Sequence, residues 1–271
     1  MNDRAFAALF VLATWWLSTI VVLRAVWLER STHRWSGAVA SVVGVAGLFG
    51  VFWSARVESK PAAYVSFGSA LAVWGWHELS FLLGLVTGPR KLPCPPDATG
   101  WRRFAYATSA VIHHEVALAL TMMLVATLTW GQPNQLGTQT FLVLWVMRLS
   151  AKLNVFLGVR NLTEQFVPAH LRYLRTYFRR ARLNPLMPVS LLAGTIVVAR
   201  LGRDALASGG TELFVVERVL VTSILALAVL EHVFLTLPVP DAVLWSWATR
   251  TRRGRQASTT EPLTDLTVEA P

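Results

Sequence analysis

The sequence predicts an all-α, polytopic membrane protein, a transmembrane helix bundle of about seven spans. The chain has 271 residues, of which 54% are hydrophobic, and its mean hydropathy is +0.48. Soluble domains of this length have a lower apolar content and fewer than the 12 tryptophans found here. Apolar runs of about 18 residues or more, separated by short charged segments, are long enough to cross a bilayer as helices.

Seven apolar runs are the candidate spans, and in chain order they are 5–23, 37–55, 62–86, 104–129, 136–157, 187–198 and 214–237. The sixth is the weakest, because Pro185 and Pro188 crowd its start. It either extends to about Leu201 and spans the membrane, or forms a tilted or re-entrant helix. The bundle is expected to occupy residues 1–250. The polar segment 251–271 is expected to be a disordered cytoplasmic tail.

The basic residues are unevenly divided between the two sides of this bundle. Seventeen Lys and Arg residues fall in the first, third and fifth loops and the tail, against five on the opposite side. Lys and Arg accumulate in cytoplasmic loops, so the N-terminus is expected in the periplasm and the C-terminus in the cytoplasm. A re-entrant sixth segment would place the Arg-rich tail outside. The net charge of +10 is therefore explained by the orientation of the chain in the membrane. The expected partner is the lipid bilayer, and no nucleic acid is expected to bind.

Ionisable side chains deep inside the apolar runs mark a candidate functional site, because each is costly in a membrane unless it is paired. The third run contains His77 and Glu78, and the fourth contains His113, His114 and Glu115. Counting from the loops places both sets about 15 Å from the cytoplasmic ends of their helices. Later runs add a set of residues expected to balance charge around them: Arg148, Lys152, Asn154, Glu231 and His232.

Three interpretations of this polar layer are open. Imidazole and carboxylate groups suit a Zn or Fe centre, although the consecutive His113 and His114 point about 100° apart and cannot easily share one ion. One histidine could instead be the axial ligand to the magnesium of a chlorophyll-type pigment. In the third interpretation Glu78 and Glu115 neutralise the two cations of the fifth run, and the layer is a buried ion-pair network that fixes helix register.

An amphipathic pattern outside the spans predicts an interfacial helix at about 168–183. Apolar side chains recur three or four residues apart, at Leu171, Leu174, Phe178 and Ala181. A basic stripe follows one position later, at Arg172, Arg175, Arg179 and Arg182. Such a helix lies on anionic lipid with its tyrosines at headgroup level. The other interpretation is a docking surface for an acidic face of a partner protein.

Long unbroken stretches resemble one family. They read VWGWHELSF at 73–81, TGPRKLPCP at 87–95, HHEVALA at 113–119, FLVLWVMRLSAKLNVFLG at 141–158 and NLTE at 161–164. In these stretches the chain resembles the photosynthetic complex assembly family PuhE of phototrophic purple bacteria, whose gene neighbours that of the reaction-centre H subunit. The resemblance covers roughly residues 60–200, and its motifs are largely the polar layer.

The resemblance implies a multi-pass protein of the bacterial inner (intracytoplasmic) membrane that acts in assembly of the reaction-centre and light-harvesting complex. It supplies no catalytic residues. The expected function is therefore an assembly factor rather than an enzyme, holding a nascent photosynthetic subunit, a bacteriochlorophyll or both. The cofactor is open between bacteriochlorophyll and an Fe or Zn ion. The alternatives are a membrane-embedded His/Glu metalloenzyme of tetrapyrrole or carotenoid metabolism, and a purely structural scaffold.

The charge asymmetry makes a topology prediction. A reporter fused after Arg250 should behave as cytoplasmic, and one inserted near Gln132, between the fourth and fifth spans, as periplasmic. Paired alkaline phosphatase and green fluorescent protein fusions measure this directly. A tail found on the outside would contradict the seven-span topology.

Overall fold

The structure is a computed structural model that describes residues 2–162, 167–207 and 210–237. These residues contain seven long helices and no strand, which confirms the all-α prediction. The helices are α1 (Asp3–Trp27), α2 (His33–Ser54), α3 (Lys60–Leu82), α4 (Gly100–Thr129), α5 (Leu136–Leu157), α6 (Leu186–Leu206) and α7 (Glu212–Thr236). The predicted tail, 251–271, lies outside the described residues.

Six of these helices are long and apolar enough to cross a membrane, and the exception is α3. Its 23 residues match the others in length, but polar side chains lower its hydropathy. Helix α3 is the central helix of the bundle and packs against α1, α2, α4, α5 and α7. About half of its residues are buried. Because neighbouring helices surround α3, it can carry polar groups that a lipid-exposed helix could not.

The helix ends meet in two groups, as the predicted alternation requires. At one face Lys60 bridges Asp3 and Glu212, so the starts of α1, α3 and α7 lie together. At the other face the Arg103 guanidinium donates to the Phe156 carbonyl, which joins the start of α4 to the end of α5. The basic first, third and fifth loops therefore share one face, in agreement with the grouping drawn from charge.

Helix α6 is longer than predicted and is apolar enough to span, so the sixth segment is not a short re-entrant turn. Its start is fixed by Asn184, whose side-chain oxygen accepts from the backbone N–H groups of Leu186 and Met187 at 3.0 and 3.1 Å. The Asn184 amide donates to the Gly158 carbonyl at 2.8 Å, tying α6 to the end of α5. Pro185 is tolerated because the first helical turn needs no N–H from it.

Helix α3 ends at Leu82, short of the predicted 86, and the chain then folds back against α4. Gly84 turns the chain with φ of 78°. The His114 N–H donates to the Thr87 carbonyl at 2.9 Å, and the Arg90 N–H donates to the Ser109 carbonyl at 3.3 Å. The inserted loop 83–90 thus holds α4 in register with α3. It also shortens the distance from His77 to the end of its helix to about 8 Å, half of the predicted value.

The predicted interfacial helix at 168–183 is wrong in extent and in packing. A 3-10 helix covers only Ala169–Tyr177, and its buried Leu171, Leu174 and Tyr177 pack on Phe81 and Ala110 in place of lipid. The Tyr177 hydroxyl accepts from Arg90 Nε at 2.8 Å and donates to the Leu92 carbonyl at 2.9 Å, so this segment is fastened to the inserted loop. The outward side keeps the exposed part of the basic stripe: Arg172, Arg179 and Arg182.

Another contact ties this 3-10 helix to α3. His170 Nε2 lies 3.0 Å from the Leu82 carbonyl, one of the carbonyls left unsatisfied at the end of α3. Burial lowers the pKa of His170, which favours the neutral ring. In the tautomer that carries its proton on Nε2, the ring donates to that carbonyl. Segment 169–177 therefore caps the helix that carries His77 and Glu78.

The inserted loop generates a stability prediction. A Cβ at Gly88 would overlap the backbone of Ser109 and Ala110, so Gly88→Ala should destabilise the protein by about 1–3 kcal/mol. Gly75→Ala is the matched control, because its Cβ meets nothing within 4 Å and alanine favours a helix. Melting of both variants in mild detergent measures the difference. Equal melting temperatures would mean that loop 83–90 does not hold α4 in register.

Candidate functional site

The core-facing stripes of three helices change from apolar to charged in the half of the bundle near the basic loops. In the other half they form one core, to which α3 contributes Phe67, Leu71 and Trp74, α5 contributes Phe141 and Leu144, and α7 contributes Leu220 and Ile224. One or two turns further along these stripes stand Glu78, Arg148 and Glu231. Positions that helical geometry turns inward are therefore charged at this level.

Two ion pairs join the charged positions across helices. Arg148 Nη2 of α5 lies 2.9 Å from Glu78 Oε2 of α3. One turn further along α5, Lys152 Nζ lies 2.5 Å from Glu115 Oε1 of α4. These are the pairings that the ion-pair interpretation requires. They connect α3, α4 and α5, which gives the layer a defined register.

Part of the layer is accessible, although its residues lie on core-facing stripes. The Arg148 side chain is 42% exposed and the Lys152 side chain 24% exposed. Glu231 of α7 is exposed as well and lies within electrostatic range of Arg148 and Glu78. The helices therefore do not close over these side chains. We call this accessible part of the layer the charged cleft; it comprises Glu78, Glu115, Arg148, Lys152 and Glu231.

The three candidate histidines occupy different surroundings. His77 is 2% exposed, and its Nε2 lies 2.9 Å from the Thr121 hydroxyl of α4. His114 is 1% exposed and packs on Phe81, with the two ring centroids 4.7 Å apart, and neither of its ring nitrogens has a hydrogen-bond partner. His113 points away from both, on an exposed face of α4. The structure therefore separates one accessible histidine from two enclosed ones.

His232 and Asn154, predicted to balance charge with the ion pairs, lie in a separate cluster between α5, α6 and α7. His232 Nδ1 lies 2.8 Å from the Ala228 carbonyl, and Nε2 lies 3.0 Å from the Ser150 hydroxyl. The Asn154 amide donates to the Ser190 hydroxyl of α6 at 3.1 Å. These contacts are neutral hydrogen bonds between helices, so the cluster fastens α6 to the bundle and adds no charge to the cleft.

Sequence reasoning missed Thr121, Ser150 and Ser190, which partner His77, His232 and Asn154. Hydroxyl side chains are common in membrane helices, so nothing in the sequence distinguishes these three. Asn184 could have been found, since Asn directly before Pro is a frequent helix start.

The geometry does not form a metal centre in the part of the chain that the structure describes. Within those residues no three His, Cys, Asp or Glu side chains converge as metal ligands do. The His77 and His114 rings are nearest, with centroids 6.3 Å apart, and Glu78 and Glu115 are each committed to a cation. The arrangement thus favours charge pairing and leaves the two enclosed histidines apart.

Comparison with known proteins gives the family. The family described as proteins of unknown function, DUF3623, matches residues 1–256. The chain belongs to this family. It is also 39% identical, over 251 residues that cover 91% of each chain, to an uncharacterised 30.4 kDa protein in the puhA 5′ region of Rhodobacter capsulatus. No solved structure matches the chain. The similarity spans the whole charged cleft.

The two ion pairs should differ in their contribution to stability. Glu115→Gln leaves Lys152 unpaired in a largely enclosed place and should cost about 3 kcal/mol, part of which Glu115→Gln/Lys152→Met should recover. Glu78→Gln should cost about 1 kcal/mol or less, because the Arg148 side chain is 42% exposed and depends less on its partner. Denaturation of the purified variants in mild detergent measures both. Equal costs would contradict this dependence on the exposure of the two cations.

Proposed function

We propose that this protein is an integral membrane assembly factor for the bacterial photosynthetic reaction-centre and light-harvesting complex. On this proposal it resides in the inner (intracytoplasmic) membrane and handles a bacteriochlorophyll or a nascent subunit at the polar layer. The relative in the puhA 5′ region supports the connection to photosynthesis, as do the motifs shared with the assembly family.

The observation that carries the proposal is the position of His113. It lies at the depth of the ion pairs, yet on the outward face of α4, next to the exposed apolar Val116 and Leu120. A polar ring on a lipid-facing surface is costly unless something covers it. A neutral imidazole offers a nitrogen lone pair, which is what the magnesium of a bacteriochlorophyll takes as an axial ligand. The flat macrocycle would then lie over the apolar neighbours.

His77 and His114 are poorer pigment contacts than His113. Both are enclosed by protein, and a macrocycle could reach them only if α3 and α4 separated. Their neighbours are Thr121 and Phe81, which pack them in the core. We assign them to holding α3 against α4, and the pigment contact to His113.

The orientation proposed for the membrane follows the basic face. The face that gathers the first, third and fifth loops is cytoplasmic, with the N-terminus in the periplasm and the C-terminus in the cytoplasm. The exposed arginines of segment 169–183 then lie against anionic headgroups. The charged cleft lies in the cytoplasmic half of the bilayer, the side on which a new subunit is synthesised.

Histidine variants test the proposal. His113→Leu and His113→Gln should accumulate as folded protein, because the side chain is exposed. After purification they should carry about one tenth of the wild-type bacteriochlorophyll or less, since the imidazole that would bind the magnesium is gone. The matched control is His114→Gln, which should lower the yield of folded protein while leaving pigment per folded molecule unchanged. Absorption spectra of the purified protein, and of membranes for assembled reaction centres, give both quantities.

Two results would contradict the pigment assignment. One is wild-type pigment and wild-type complexes in both His113 variants. The other is loss of pigment per folded molecule in the control alone, which would move the contact to the enclosed histidine.

A further inference from the structure

We infer that the charged cleft receives a basic side chain from a transmembrane segment of a partner protein. This inference rests on the proposed role in assembly and specifies the chemistry by which a nascent subunit would be recognised. It concerns a different surface from the pigment contact, because His113 faces away from the cleft.

The charges of the cleft leave one carboxylate without a cation. Glu78 is paired with Arg148 and Glu115 with Lys152, while Glu231 has no Lys, Arg or His nitrogen within 4.0 Å among the described residues. Glu78 also lacks one hydrogen bond, because its Oε1 is buried and no donor lies within reach of it. A group that is positively charged and rich in donors would satisfy both carboxylates. Ammonium and guanidinium groups have this chemistry.

His114 is an independent example of a polar side chain in this layer whose hydrogen bonds the described residues do not supply. The side chain is 1% exposed, and neither ring nitrogen has a partner. Its ring packs on Phe81, and the Phe81 ring centroid lies 5.6 Å from Lys152 Nζ of the cleft. Buried polar groups are normally hydrogen-bonded, so one without a partner calls for an explanation, such as a ligand that completes the set.

The depth of the cleft favours a protein side chain over a lipid headgroup as the source of the cation. Arg148 lies nine residues from the end of α5, about 14 Å along the helix axis. Lipid amines stay outside a hydrocarbon core that is about 30 Å thick. A Lys or Arg one or two turns inside a transmembrane helix reaches this depth with its apolar stem in lipid, and it needs a carboxylate partner there.

The experiment uses the full-length protein in phosphatidylcholine vesicles with one of two probe peptides. Both are Leu/Ala transmembrane helices of about 20 residues, one with a single Arg roughly two turns from an end and one with Leu in its place. Dicyclohexylcarbodiimide modifies protonated carboxyl groups in apolar surroundings, the form that a carboxylate without a cation takes in a membrane. Mass spectrometry then reports the modification at each glutamate.

The Arg peptide should protect Glu231 roughly three- to thirtyfold, the range that polar contacts between membrane helices give. The Leu peptide should not protect it, and Glu231→Gln should weaken capture of the Arg peptide by the same factor. Glu217→Gln is the matched control, since Glu217 lies on α7 outside the cleft and has no ion pair within 4.0 Å in the part of the chain that the structure describes. It should capture the peptide as the unaltered protein does.

Equal protection by the two peptides would overturn the inference. Absence of labelling without peptide would also overturn it, because Glu231 would then already be neutralised by a cation of this chain. Failure here is distinguishable from failure of the proposed function. The pigment retained by the purified protein depends on His113 and is measured without any peptide.

Discussion

Charge in an apolar bundle has to be paired, and this constraint organises the molecule. The Glu78–Arg148 and Glu115–Lys152 pairs stand where three helices would otherwise continue an apolar core. Each pair is made between helices, so neither can form unless α3, α4 and α5 hold a single register. The apolar half of the bundle packs the helices together, and the ion pairs of the charged half fix the register of α3, α4 and α5.

The central position of α3 lowers the cost of placing polar side chains on it. Other helices surround α3, so His77 and Glu78 are covered by protein rather than lipid. Loop 83–90 then occupies the space below the early end of α3 and bonds to the backbone of α4. The 3-10 helix Ala169–Tyr177 packs over that loop. The loop and the 3-10 helix together cover the end of α3, so the polar residues stay enclosed although α3 is shorter than predicted.

On the two proposals made above, the site would offer two surfaces to different partners. His113 is exposed among apolar side chains, which suits a flat apolar ligand whose metal accepts a nitrogen lone pair. The charged cleft leaves Glu231 without a cation within 4.0 Å among the described residues, which suits a basic group carried by another membrane helix. An assembly factor has to hold components without transforming them.

The sequence by itself determined the all-α class, the positions of the long apolar helices and the recurrence of polar groups in α3, α4 and α5. Length and hydropathy govern those properties locally, and loop charge grouped the helix ends correctly. It also identified which acids and bases could pair, because charges in lipid require partners. Only the tertiary structure decided that His113 is exposed while His114 is enclosed, and that His232 and Asn154 belong to a neutral cluster. It also decided that segment 169–177 packs on protein. Those outcomes depend on which face of each helix meets a neighbour, and that choice is set by packing between distant segments.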